Sequence, residues 1–281
     1  MAIKKHIPNT LTSLNILCGC ISLVFASNGQ IDWAVYLIFI AVLFDFLDGL
    51  AARSLSAQSE FGKQLDSLAD MVSFGVAPGF LAYNLMISIT EIRPLLSFSP
   101  FLPEDIQSYV EMSFMDDLFP FVAFVIPIFT ALRLAKFNID STQSVEFKGL
   151  ASPGNALFIA GSSLYIQPKI EGMTKTLLRL GADGNSMDPG IVTIFLIGAG
   201  LTVVIVSSMM LFSVRMFSFK FSNLSWRENV VRYLFLLICL TVISFALLFK
   251  NLFAALPIII LLYIGLSMIN NLFRKKDEVQ S

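Results

Sequence analysis

Residues 45–70 read DFLDGLAARSLSAQSEFGKQLDSLAD. The spacing is D-x2-D-G-x2-A-R-x8-G-x3-D-x3-D, set by Asp45, Asp48, Gly49, Ala52, Arg53, Gly62, Asp66 and Asp70. The stretch closes one apolar run, 33–46, and opens another, 71–89. Asp45 and Asp48 stand at i and i+3, and Asp66 and Asp70 at i and i+4, so each pair shares a face if the runs are helical. Two neighbouring helices joined by a short turn would aim four carboxylates at one spot. Like charges at a membrane edge repel one another and resist desolvation, so they need countercharge. All-oxygen ligation favours Mg2+ or Mn2+ as its source.

Working outward, the composition explains why the acids are conspicuous. Of 281 residues, 56% are hydrophobic and only 14% charged, with a mean hydropathy of +0.77. That excludes an ordinary soluble domain and calls for a polytopic membrane protein. Crossing the hydrocarbon takes about 20 apolar residues. The stretches that come near it are 11–26, 32–50, 65–89, 118–135, 154–166, 191–212, 230–249 and 252–273, the fifth being the shortest. The expected fold is an all-α polytopic membrane bundle of about eight helices. The first span, behind Lys4 and Lys5, reads as retained rather than cleaved, because the chain beyond it is membrane-embedded throughout.

Basic residues give the orientation. With the N-terminus in the cytoplasm, 14 of the 19 lysines and arginines fall on the cytoplasmic side; Arg93, Lys169, Lys175, Arg179 and Lys250 remain outside. The acid-rich turn is then cytoplasmic. Basic groups at the cytoplasmic helix ends also suit anionic membrane lipids. Residues 90–117 and 167–189 read as external loops, the first with room for a surface helix. Cys18, Cys20 and Cys239 lie in apolar runs without paired spacing, and His6 alone builds no histidine metal site. No repeat, nucleotide P-loop or nucleic-acid-binding stripe is present.

Several residues keep two readings. Gly49 and Ala52 leave one helix face nearly bare, open either to a flat ligand or, with Gly62, to close helix packing. Arg53 offers a fork of donors for phosphate, or marks topology. Ser59 caps the following helix or uses its hydroxyl on a ligand. A carboxylate cluster beside a phosphate-binding arginine suits metal-assisted phosphoryl-type transfer to an alcohol. The rival reading is a non-enzymatic transporter or cation path, which would spread its acids through the bilayer depth.

The eight-position pattern resembles the signature of the CDP-alcohol phosphatidyltransferases, and every position matches. That resemblance implies a bundle of membrane helices, usually homodimeric, with two metal ions per site. It makes Asp45, Asp48 and Asp66 metal ligands and Asp70 both ligand and catalytic base. It places Gly49, Ala52, Arg53, Ser59 and Gly62 against CDP-diacylglycerol. Pro8, Asn9, Leu11 and Thr12 resemble the family's first-helix motif, whose Asn and Thr line the nucleotide site; a helix-entry turn capped by Asn9 or Thr12 is the other reading. Residues 131–138, ALRLAKFN, and 147–153, FKGLASP, resemble the serine-using branch, the phosphatidylserine synthases, with Lys136 and Ala151 as departures. Serine's carboxylate needs a fixed cation, for which Arg133, Lys136 and Lys148 stand available, and Asn138 could take the amino group. The same cations also fit plain positive-inside topology. Asn15 and Gly19 add to this likeness. The implied substrates are CDP-diacylglycerol and L-serine in the inner membrane, with glycerol phosphate or inositol phosphate as the alternative acceptors. Residues 1–170 would form the catalytic part and 171–281 additional helices that fill out the bundle.

Overall fold

The computed structural model describes residues 2–92, 118–139, 149–182, 190–212, 214, 216 and 226–280. The described elements are helical. They are α1 (Ala2–Ser27), α2 (Ile31–Ser54), α3 (Glu60–Asp70), a π-helical turn (Met71–Val76), α4 (Ala77–Thr90), a 3-10 turn (Phe119–Phe124), α5 (Val125–Ile139), α6 (Ser152–Ala182), α7 (Gly190–Ser208), α8 (Trp226–Leu248) and α9 (Leu252–Gln280).

α1 and α2 form an antiparallel hairpin about Gly29, whose φ of +71 is the left-handed conformation glycine adopts freely. The Ser22 hydroxyl donates to the Ala34 carbonyl at 2.8 Å across the hairpin. Small and branched residues (Ala34, Val35, Ile38, Ala41) carry α2 against the core with no exposure at all. α2 runs to Ser54, so Asp45, Asp48, Gly49, Ala52 and Arg53 all ride on one helix. A five-residue connection, 55–59, ends at Ser59, which caps α3 by accepting the Gly62 amide at 3.0 Å. α3, the π turn and α4 continue as one rod through the middle of the bundle. Glycines let neighbours approach it, as small residues do between membrane helices: a methyl on Gly19 would meet Ser73 at 2.6 Å, and one on Gly79 would meet Pro127 at 2.9 Å.

Among the described residues, six helices are long and apolar enough to cross a membrane: His6–Ser27, Ile31–Ser54, Glu60–Thr90, Phe119–Ile139, Asn229–Leu248 and Leu252–Asn271. Two expected spans differ. The sixth shortens to the apolar helix Val192–Ser208. The fifth lies inside α6, a 31-residue helix that continues to Ala182, so 167–182 is helix where a loop was expected. The reason is compositional: past Ile166 the helix carries Lys169, Glu171, Lys175 and Arg179, which weaken the apolar signal without breaking the backbone. The helix-entry reading of Pro8–Thr12 is also overturned. α1 begins at Ala2 and Thr12 sits within it, donating to the Pro8 carbonyl at 3.0 Å. The expected surface helix in 90–117 lies outside the described residues beyond Ile92.

A candidate active site of clustered carboxylates

The hairpin and the cap decide where the acids go. Because α1 and α2 run antiparallel, Thr12 stands level with Asp48, and its hydroxyl donates to Asp48 Oδ2 at 2.6 Å. Asp48 is buried at 6% exposure. The Ser59 cap turns the chain back so that α3 brings Asp66 to the same place, and carboxylate oxygens of Asp45, Asp48 and Asp66 lie within 4.8 Å of one another. At such a separation, and an effective dielectric of about 20, each like-charged pair costs roughly 3 kcal/mol. Asp70 adjoins this triad, within hydrogen-bonding reach of Asp45 and within electrostatic range of Asp66 and Arg133.

The donor set fits a hard divalent cation. Every potential ligand is an oxygen, and Asp66 Oδ1 and Asp70 Oδ1 are buried without a hydrogen-bond donor. A metal ion is what such oxygens lack. Asp45, Asp48 and Asp66 could hold it, with Asp70 adjoining.

Beside the acids opens a cavity of about 560 Å3 between α1, α2 and α3. Asn9, Thr12, Gly49, Ala52, Ser59 and Gly62 all line it, together with Asp48 and Asp66. That volume falls in the range of small-molecule sites. Arg53 is exposed at the rim, its Nη2 3.9 Å from where a Gly49 side chain would begin. The two glycines separate here. Around Gly49 nothing else is near, so its bare face belongs to the cavity. A methyl on Gly62 would stand 3.1 Å from Ser59 Oγ and 3.2 Å from Asn9 Oδ1, so Gly62 serves the close approach of α1 to α3.

The expected acceptor residues are divided. Arg133 of α5 is half-buried, donates from Nη1 to Ser152 Oγ at 2.9 Å, and keeps Nε buried without an acceptor. Asn138 donates to Ser67 Oγ at 2.9 Å, tying the end of α5 to α3. Lys136 is exposed. Lys148 lies outside the described residues.

Sequence reasoning misses several contributors. Gln58 and Lys63 line the cavity, although the skew of basic residues accounts for Lys63 as a topology signal only. Asn15, named above only for its likeness to the serine-using branch, is fully buried, with neither amide atom partnered among the described residues. Three residues past Thr12 on an antiparallel hairpin, it stands level with Asp45. Its spacing from Thr12 is the available clue. Ser152 stands in the 147–153 segment, but that likeness alone does not pair it with Arg133.

Comparison with known proteins places the chain in a family. The sequence profile of the CDP-alcohol phosphatidyltransferase family matches residues 5–181. The chain is 33% identical over 149 residues to the CDP-diacylglycerol–serine O-phosphatidyltransferase of Bacillus subtilis, covering 53% of this chain and 70% of that protein. The enzyme of the same name from Mycobacterium tuberculosis is 44% identical over 162 residues, 55% of this chain and 48% of that one. The archaetidylserine synthase of Methanothermobacter thermautotrophicus is 32% identical over 162 residues, 57% and 58% respectively. The chain thus spans about half to two thirds of the length of these relatives.

Proposed function

The chain belongs to the CDP-alcohol phosphatidyltransferase family, and from that premise we propose that it transfers the phosphatidyl group of CDP-diacylglycerol to the hydroxyl of L-serine, releasing CMP. The observation that carries the reading is the cluster of Asp45, Asp48 and Asp66 opening into a nucleotide-sized cavity.

The roles follow from placement. Asn9, Thr12, Gly49, Ala52, Ser59 and Gly62 shape the cavity for the cytidine and pyrophosphate, and Arg53 reaches phosphate oxygens from the rim. Lipid tails stay in the bilayer beside α1 and α2. Arg133 pairs with the serine carboxylate, using the Nε that the protein leaves free. Asp70 then takes the proton of the serine hydroxyl. The serine oxygen forms a bond to the lipid-side phosphorus as the bond from that phosphorus to the CMP oxygen breaks. A divalent cation, Mg2+ or Mn2+ and two per site by family resemblance, would neutralise the charge gathering on the departing CMP. Asp45, Asp48 and Asp66 would hold it. Lys136, Lys148 and Asn138 complete the acceptor side in this proposal. Residues 1–170 form the catalytic part.

The skew of basic residues supports a site on the cytoplasmic face of the inner membrane. The family likeness supports a homodimer. Clustering of the acids at one helix turn argues against a cation path, which needs them spread through the bilayer depth.

The test is CMP release from CDP-diacylglycerol by detergent-solubilised protein with each acceptor in turn. Serine should give product, abolished by EDTA and restored by Mn2+ or Mg2+. Product with glycerol phosphate or inositol phosphate and none with serine overturns the acceptor, and chelator-resistant turnover overturns the metal.

A further inference from the structure

The end of α7 lies beyond the residues that the family profile matches, yet it grips the segment holding Arg133. Arg133 is anchored by Ser152, the first residue of α6 and fully buried. The backbone just before Ser152 docks on the chain leaving α7: the Gly149 amide donates to the Val214 carbonyl at 2.8 Å, and the Leu150 amide to the Met209 carbonyl at 2.9 Å. One turn into α6, Asn155 pairs with Ser207, Nδ2 to Oγ at 3.3 Å, and neither side chain has any exposure. Gly149 has φ +76, and a methyl there would stand 2.6 Å from the Met210 carbonyl oxygen and 2.9 Å from that of Phe212. Thr130, one turn before Arg133 on α5, faces the Met210 sulfur at 3.9 Å.

These contacts converge on one guanidinium. An arginine whose one side-chain anchor among the described residues is Ser152 turns about its stem unless that anchor is itself immobile, and here the anchor's immobility comes from α7. We infer that Ser207 and Asn155, with Gly149 seated among the carbonyls of Met209, Met210, Phe212 and Val214, are positioning residues for acceptor recognition. They act through Ser152 on Arg133 and leave the nucleotide cavity alone. None of them lines that cavity, which is built from α1, α2 and α3. This inference rests on the reading of serine as the acceptor.

The experiment measures KM for serine and KM for CDP-diacylglycerol separately, on the full chain with saturating Mn2+. Ser207→Ala removes the Asn155 partner and should raise the serine KM by about threefold to tenfold, the usual range for a lost neutral hydrogen bond. The CDP-diacylglycerol KM should stay put, and Ser207→Thr, which keeps the hydroxyl, should recover most of the loss. Gly149→Ala should act in the same direction and more strongly. If it fails to fold, Ser207→Ala alone decides. The increment from Ser207→Ala should vanish in an Arg133→Ala background, since coupled residues are not additive. Equal rises in both KM values, an increment that persists without Arg133, or lower thermal stability with unchanged kinetics would each overturn the positioning role. Wild-type protein that makes no product from serine would instead overturn the acceptor assignment.

Discussion

In the helix Glu60–Thr90, 61% of the apolar window is buried inside the protein; in Asn229–Leu248 and Leu252–Asn271 the share falls to 11% and 17%. The first carries Asp66, Asp70 and Ser73 in its length. Asn229–Leu248 presents Leu237, Leu240, Phe245 and Leu248 outward, each at least 60% exposed. Hydrocarbon solvates such side chains as well as a protein core does, so burial in a membrane is not obtained merely by being apolar. It goes where polar groups must be kept from lipid and held against each other. The contrast separates a region whose geometry is specified by hydrogen bonds from one specified mainly by length and hydropathy.

The largest effect expected from that contrast is at the centre of the polar region. Asp70→Asn should lower turnover by about 10^3-fold, within the range for loss of a general base. CDP-diacylglycerol binding should be retained, as checked by equilibrium binding. Turnover near that of the unaltered protein would remove Asp70 as base. Next comes Thr12→Val, which deletes the 2.6 Å hydrogen bond that α1 gives Asp48. Bonds to charged groups contribute about 1.5–3 kcal/mol, so kcat/KM should fall by roughly 10-fold to 100-fold. An unchanged Mn2+ dependence alongside that fall would show that the bond orients the nucleotide rather than the acid. The smallest effect belongs to the lipid-facing side: Leu240→Ala and Leu248→Ala should leave turnover unchanged and alter stability by no more than about 0.5 kcal/mol. A marked loss would mean that α8 meets protein there and not lipid, and sedimentation in detergent would show whether the partner is a second copy.

The acid cluster is legible in the sequence because it is local. Asp45, Asp48, Asp66 and Asp70 obey helical spacing on either side of one short turn, and the apolar runs flanking them announce the helices. Arg133 is legible as a basic residue of the 131–138 segment, which the sequence alone leaves open between a carboxylate partner and plain membrane topology. Its anchor is not. Ser152 is 19 residues away, and Asn155 and Ser207 are separated by 52, distances at which no periodicity connects two side chains. The helices after 190 therefore read as bundle filling, although the end of α7 clamps the segment before α6. Thr12 reads as a cap because it follows Pro8 and Asn9. Pro8 stands inside α1, where it withholds one backbone hydrogen bond without ending the helix, so it does not mark the start. α6 misleads for the opposite reason: hydropathy reports where apolar character stops, and this helix goes on after it.

The π-helical turn at Met71–Val76 follows Asp70 at once. Such a turn takes one more residue than an α-helical one to come round. The turn absorbs that extra residue, so α3 meets α4 at nearly the angle that one residue fewer of ordinary α-helix would give. Deleting Val72 and relaxing the turn to α-helix should therefore leave Asp66 and Asp70 aimed at α2, whereas a residue lost from the α-helical part of the rod turns everything beyond it by roughly 100°. The rod thus holds one place where its length can change by a residue without re-aiming the acids.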